Sequence, residues 1–96
     1  MEYDIRHDTA AHRFETTLEG HTACVEYTSL ADGTLDIRHT LVPGAIQGRG
    51  VAAALTRTLL EYARANGRKV RPTCSYAQAF RMRHPQYAAL WQTDAL

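Results

Sequence analysis

The sequence has two cysteines, no long apolar run and almost no net charge, and each scarcity excludes a class of protein. Cys24 and Cys74 have no paired-motif spacing, so we expect no disulfide framework and a reducing, cytoplasmic setting. No stretch approaches the roughly 18 apolar residues of a membrane span, and no targeting signal is visible. With 11 basic and 10 acidic residues the formal charge is +1, which implies neither a nucleic-acid partner nor an acidic substrate.

The length of 96 residues predicts a single domain over 1–96, with one modest core and one site. Most basic residues are in the second half of the chain, which suits a polyanionic ligand or a solvated basic face. A nucleic-acid module is disfavoured because no exposed aromatic residues are interleaved with them. The basic residues concerned are Arg49, Arg57, Arg64, Arg68, Lys69, Arg71, Arg81 and Arg83.

Alternating apolar and polar residues predict antiparallel strands in the first half of the chain. Strands are expected over 12–18, 23–28 and 34–42, with a tight hairpin turn at Ala31-Asp32-Gly33 between the last two. The segment 1–10 is either a frayed arm or a first edge strand.

A helix is predicted from about Gln47 to Asn66. Its apolar residues recur with a 3.6-residue period from Val51, and Gly67 suits a left-handed C-terminal cap. The expected N-cap position carries no Ser, Thr, Asp or Asn, so the first backbone N–H groups have no side-chain acceptor. Gly48 and Gly50 allow close approach to the backbone and Arg49 adds charge. The stretch therefore predicts a phosphate or pyrophosphate site.

Other phosphate loops fit this stretch less well. Residues 48–53 also satisfy the G-x-G-x-x-A form of a dinucleotide fingerprint, but that motif requires an acidic residue about 20 positions on, where 68–71 reads Arg-Lys-Val-Arg. No Gly-Lys-Ser/Thr follows the glycines, which excludes a P-loop. The remaining alternative is that the glycines only close a turn.

Beyond the helix, 68–74 is predicted to form a short strand parallel to the strand that ends at Val42. Pro72 cannot donate a ladder hydrogen bond, which favours an edge or a point where two strands part. A short helix over 76–83 with Ser75 as its cap follows, and 86–91 makes a last turn. That turn is expected to pack Tyr87, Leu90 and Trp91.

The run Gln47-Gly48-Arg49-Gly50-Val51-Ala52 resembles the Gln/Arg-x-x-Gly-x-Gly/Ala pyrophosphate loop of the GNAT superfamily of acyl-CoA N-acyltransferases. Together with 42–55, 70–76 and 83–87, it is similar to very small GNAT-like proteins over roughly residues 10 to 90. The resemblance implies a minimal GNAT-like α+β fold, a mostly antiparallel sheet with one splayed parallel strand pair flanked by helices. It also implies acetyl-CoA as co-substrate. The cofactor-binding residues implied are Leu41, Val42, Gln47, Gly48, Arg49, Gly50, Val51, Ala52 and Ser75.

The activity implied by the resemblance is acetyl transfer to an unidentified amine, with Cys74 and Tyr76 as catalytic candidates. Cys74 ends the strand that flanks the acyl group, where it either protonates the departing thiolate or takes the acyl group covalently. The alternative for Cys74 is a buried structural cysteine. Tyr76 either protonates the thiolate or packs in the core.

Glu26 and His39, on adjacent predicted strands, are candidates for the base that deprotonates the amine. His39 is predicted to share one face with Leu35, Ile37 and Leu41, which favours a core histidine, and Glu26 alternatively faces solvent. No metal is expected, because the His21-x-x-Cys24 pair offers too few ligands for zinc.

The chain departs from larger GNAT enzymes between its first strands. At Glu19-Gly20-His21 it turns directly into the next strand, where those enzymes have helices that help to bind the acceptor. An open acceptor side suits an amine on a protein better than a small amine in a closed pocket. A CoA-binding or acyl-CoA-binding module or subunit without catalysis is the alternative function.

Overall fold

A computed structural model describes residues 3–92 as a five-stranded mixed sheet with helices packed against it. The strands lie in chain order across the sheet, and only the last pair, β4 with β5, is parallel. This arrangement confirms the predicted GNAT-like α+β fold. No helix among the described residues is both long and apolar enough to cross a membrane. The strands are β1 (Arg6–Asp8), β2 (Arg13–Leu18), β3 (His21–Ser29), β4 (Leu35–Leu41) and β5 (Val70–Pro72).

Two α-helices and two short 3-10 helices complete the described part of the chain. The first α-helix crosses from β4 to β5 and buries its apolar stripe against the sheet, as the 3.6-residue period predicted. The final 3-10 turn packs Tyr87 and Trp91 into the core, which confirms the predicted last turn. The helices are Gly44–Ile46 (3-10), α1 (Val51–Ala65), α2 (Ser75–Arg83) and Pro85–Leu90 (3-10).

The parallel pair β4–β5 parts after three residues. Its ladder runs from Leu35 opposite Val70 to Ile37 opposite Pro72, and the last bond joins the Cys74 N–H to the Ile37 carbonyl at 3.0 Å. β4 continues to Leu41 without a β5 partner, because β5 ends at Pro72 and the chain enters α2 at Ser75. The predicted splay is therefore present and leaves one edge of β4 open.

A β-bulge in β4 overturns the predicted burial of His39 and Leu41. Glu26 pairs with His39 but the next residue, Tyr27, pairs with Ile37, so Arg38 is an extra residue in the ladder. The extra residue reverses the alternation beyond Ile37. His39 is exposed, and Leu41 is 54% exposed. The prediction of a core histidine was wrong.

The structure decides one open alternative and corrects the ends of two elements. The segment 1–10 contains the edge strand β1, although its residues 1 and 2 lie outside the described part of the chain. α1 begins at Val51 and not near Gln47, because Gly48 and Gly50 have φ of 80° and 74°, outside the helical region. The cap of α2 is Cys74 and not Ser75, since the Cys74 Sγ accepts from the Ala77 N–H at 3.3 Å.

His7 attaches β1 to the core through an aromatic cluster. Its ring stacks on Phe14 with centroids 4.0 Å apart and meets the edge of Tyr62 of α1 at 4.6 Å. The His7 Nε2 lies 2.6 Å from the Tyr27 hydroxyl. Removal of the ring from water lowers the pKa of His7 below its ordinary value of 6.5.

This lowered pKa predicts that the protein loses stability as pH falls through about 6.5, since the unfolded chain then binds a proton at His7 that the folded chain does not. His7→Phe keeps an aromatic ring but cannot titrate. We expect the free energy of unfolding to fall less steeply between about pH 7 and 5 in this variant than in the wild type. Urea unfolding across that range measures both slopes, and parallel slopes would contradict the prediction.

Candidate functional site

A cleft of about 540 Å³ opens where β4 extends beyond β5. Its walls are the end of β4, the loop that follows, the first turn of α1 and one side chain from α2. The residues that line it are Thr40, Leu41, Val42, Ile46, Gln47, Gly48, Gly50, Val51, Ala52, Ala53 and Tyr76. The structure thus brings together Tyr76 and seven of the nine residues predicted to bind a cofactor.

The N-terminus of α1 faces this cleft without a side-chain cap. Gly50 occupies the N-cap position, no side chain bonds to the first turn, and the first turn has no acidic residue. The first bond of the helix runs from the Ala54 N–H to the Gly50 carbonyl at 3.0 Å. The N–H groups of Val51, Ala52 and Ala53 precede that bond and have no intrahelical acceptor. They and the helix dipole favour an anion at this position.

The glycines of the loop leave space for such an anion. Gly48 and Gly50 both have positive φ, which a side chain rarely adopts. A Cβ added at either position would meet no atom within 4 Å. Both glycines line the cleft, and no neighbouring side chain fills the space beside their backbone.

Contacts from distant parts of the chain hold the loop in place. The Gln47 side-chain amide donates to the Val42 carbonyl at 3.1 Å, and the Tyr3 hydroxyl donates to the Arg49 carbonyl. The Arg49 guanidinium lies 2.5 Å from the Glu19 carboxylate in the β2–β3 turn and lowers the pKa of Glu19. Arg49 thus points to this turn and does not line the cleft. The roles of Tyr3 and Glu19 were not predicted, because no local sequence pattern gives a signal for them.

Cys74 lies beside the cleft, at the point where β4 and β5 part and the chain leaves β5 for α2. Its Sγ is 3.5 Å from the hydroxyl of Thr40, which lines the cleft from β4. The same sulfur accepts the Ala77 N–H of α2, and the side chain is partly buried. The sulfur is consequently held at one position, next to the open edge of β4. Thr40 was not predicted, because its orientation depends on the bulge at Arg38.

Tyr76 extends from the first turn of α2 into the cleft. Burial raises the pKa of its phenol above the ordinary value, so the hydroxyl keeps its proton at neutral pH and is available as a donor. The neighbouring Ser75 is exposed and is not among the residues that line the cleft.

Glu26 and His39 lie outside the cleft, in a second, more polar hollow of about 520 Å³. Cross-strand pairing places the two residues opposite each other on β3 and β4. The hollow is lined by Ala11, His12, Glu26, Tyr27, Thr28, Arg38 and His39. Within residues 3–92, no three His, Cys, Asp or Glu side chains form a group that could hold a metal ion.

Comparison with known proteins gives one consistent result. The family model for GCN5-related N-acetyl-transferase matches residues 13–90, a range that includes the whole cleft. Protein NATD1 of Danio rerio is 32% identical over 87 residues, which are 86% of this chain and 79% of that protein. Protein NATD1 of Xenopus tropicalis is 30% identical over 83 residues, 84% of this chain and 76% of that one. For the human protein of the same name the identity is 30% over 83 residues, 84% and 74% of the two chains.

Proposed function

The chain belongs to the GCN5-related N-acetyltransferase family, and from this premise we propose that it transfers the acetyl group of acetyl-CoA to an amine. The observation that carries the proposal is the cleft itself. It joins the open edge of β4 to the uncapped N-terminus of α1, with Cys74 and Tyr76 beside the edge. A long anionic thioester fits such a cleft, with its phosphates at the helix and its acyl group at the strands.

In this proposal the pyrophosphate of CoA accepts hydrogen bonds from the N–H groups of the loop 47–52 and of the first turn of α1. The pantetheine arm carries amides, and it pairs with the open edge of β4 at Leu41 and Val42 as a further strand would. Arg49 leaves its ion pair with Glu19 and pairs with a phosphate of CoA instead. Ser75, which is exposed, contacts the cofactor from the rim of the site.

The reaction requires one bond to form and one to break. The amine nitrogen attacks the thioester carbonyl, the C–N bond forms, the C–S bond breaks, the nitrogen gives up one proton and the CoA thiolate takes one. Tyr76 or Cys74 supplies that proton in direct transfer. Alternatively, the Cys74 sulfur attacks first and its proton passes to the departing CoA sulfur; the amine then takes the acetyl group from Cys74, and the proton that the nitrogen loses returns to the Cys74 sulfur.

Tyr76→Phe tests the tyrosine as proton donor. We expect kcat to fall by roughly 10- to 100-fold while the acetyl-CoA Kd is unchanged, because the phenol acts on the leaving thiolate and the ring remains to line the cleft. The measurement is thiol release from acetyl-CoA, with the Kd from titration. Tyr87→Phe is the matched control, since Tyr87 is likewise packed against the core but bonds Glu61 outside the cleft. An unchanged kcat would show that Tyr76 serves only in packing.

The proposed function is tested with the purified, reduced protein, acetyl-CoA and a panel of primary amines. Steady thiol release together with a mass-identified N-acetyl product is the expected result. Binding of acetyl-CoA without a product from any amine would favour the second candidate, a non-catalytic CoA-binding module. The observation behind that candidate is the direct β2–β3 turn at Glu19, which places no helix between these strands.

A further inference from the structure

Two residues of the polar hollow, Glu26 and His39, lie on the face of the sheet that α1 does not cover. Phe14 contacts Tyr62 of α1, and Phe14 is paired with Val25 on β3, so Val25 faces the helix. Side chains alternate along a strand, which places the next residue, Glu26, on the opposite face. Its cross-strand partner His39 shares that face.

The polar and charged side chains of the hollow make few hydrogen bonds or ion pairs with other described residues. In the described part of the chain, neither the Glu26 carboxylate nor the His39 ring makes a hydrogen bond or an ion pair. The Arg38 side chain is 52% exposed, and its one ion pair among residues 3–92 is a long one, 3.4 Å to the Asp36 carboxylate. Asp36 is itself buried and also accepts from the Thr73 hydroxyl. The remaining donors of Arg38 are thus available to an anion.

The hollow and the cleft meet along β4. Arg38 and His39 line the hollow, and the following residues from Thr40 line the cleft. The ladder between β4 and β5 ends at Ile37, so no β5 backbone pairs with this part of the strand. An acetyl group held near Thr40 and Cys74 is therefore close to a strand edge that a second reactant can approach from the hollow.

We propose that the hollow of Glu26, Arg38 and His39 is the acceptor site, and that it takes a primary amine with a carboxylate or another anionic group close to the nitrogen. The inference rests on the proposed acetyl transfer. The Glu26 carboxylate binds the ammonium, the His39 imidazole accepts one of its protons, and the Arg38 guanidinium binds the anionic group. The free amine then attacks the thioester carbonyl, the C–N bond forms and the C–S bond breaks, the nitrogen gives its second proton to water, and the departing thiolate takes a proton from Tyr76 or Cys74.

Matched acceptors and Arg38→Gln test this inference. Glycine is compared with glycinamide, and a peptide that begins with Asp with one that begins with Asn. In Arg38→Gln we expect kcat/KM to fall about tenfold for the anionic member of a pair and to stay within about twofold for the neutral member. Because each amine is compared between two enzymes, differences in intrinsic amine reactivity cancel. If kcat/KM is higher for glycine than for the Asp peptide, the acceptor is a free amino acid. If it is higher for the Asp peptide, the acceptor is the N-terminus of a protein.

Two further variants complete the experiment. Arg6→Gln makes the same charge change on the edge strand β1, outside the hollow, and should leave both acceptors unaffected. His39→Gln should lower kcat for both members of each pair, because an amide cannot accept the amine proton, which a purely structural role of His39 would not require. All three variants should bind acetyl-CoA with the wild-type Kd.

The outcomes separate this inference from the proposed function. Steady transfer with the same effect of Arg38→Gln on charged and neutral amines would overturn the acceptor assignment and leave the proposed function in place. Absence of acetyl-CoA binding, or of transfer to any amine, would overturn both.

Discussion

Gly50→Glu is expected to weaken acetyl-CoA binding by at least about 100-fold in a protein that remains folded. Gly50 is the N-cap of α1 and lines the cleft, and a Cβ there would meet no atom within 4 Å. A carboxylate at that position takes the place of the proposed pyrophosphate and repels it. The positive φ of 74° adds a strain of about 1–2 kcal/mol for any L-residue, which most folded domains tolerate.

Gly33→Glu is the control for that strain and charge. Gly33 also has a positive φ, 91°, and also faces open space, but it lies in the β3–β4 hairpin and does not line the cleft. We expect its acetyl-CoA Kd to equal that of the wild type. Thermal unfolding first establishes that both variants are folded. Calorimetric titration then gives the acetyl-CoA Kd of each. Equal affinities in the two variants would contradict a pyrophosphate site at α1.

Cys74→Ser is expected to lower acetyl transfer by about 100-fold or more while acetyl-CoA binding is retained. A serine hydroxyl is a far weaker acid and nucleophile than a thiol at neutral pH, so both proposed roles of Cys74 are lost. Serine is also a preferred N-cap, and the bond to the Ala77 N–H can therefore persist. Cys74→Ala would additionally remove this cap, at a cost of about 1 kcal/mol, which makes serine the more informative replacement.

Intact-mass measurement separates the two roles of Cys74. Acetyl-CoA is added without an acceptor, and one acetyl group on the wild type, absent from Cys74→Ser, identifies a covalent intermediate. Cys24→Ala is the control, because Cys24 is buried and burial raises the pKa of its thiol, so it should not be acylated. If Cys74→Ser transferred acetyl groups at the wild-type rate, capping of α2 would be the function of Cys74.

Much of the fold could be predicted from local patterns. The alternation around Phe14 and Val25 gave the orientation of β2 and β3, and the 3.6-residue period from Val51 gave the buried face of α1. These patterns are strong because one face of each element is buried and the other is not. The glycines also indicated that the N-terminus of the helix has no side-chain cap. Because of their positive φ, however, the helix begins at Val51 and not near Gln47.

What the sequence could not reveal depends on pairing between distant residues. The bulge at Arg38 results from the register of β4 against β3, and it exposes His39 and Leu41 where simple alternation buried them. The same register places Thr40 beside Cys74. The contacts of Arg49 with Tyr3 and Glu19 join segments far apart in the chain, and no local pattern contains them.

The central claim is that the cleft at the N-terminus of α1 binds acetyl-CoA. The most direct test is a calorimetric titration of the purified, reduced protein with acetyl-CoA and, separately, with NADH and ATP, which also carry phosphates. We predict binding of acetyl-CoA at least about tenfold tighter than that of either competitor, a difference of about 1.4 kcal/mol. Equal affinity for all three ligands, or no binding of acetyl-CoA, would contradict the claim and leave the glycine loop as a structural turn.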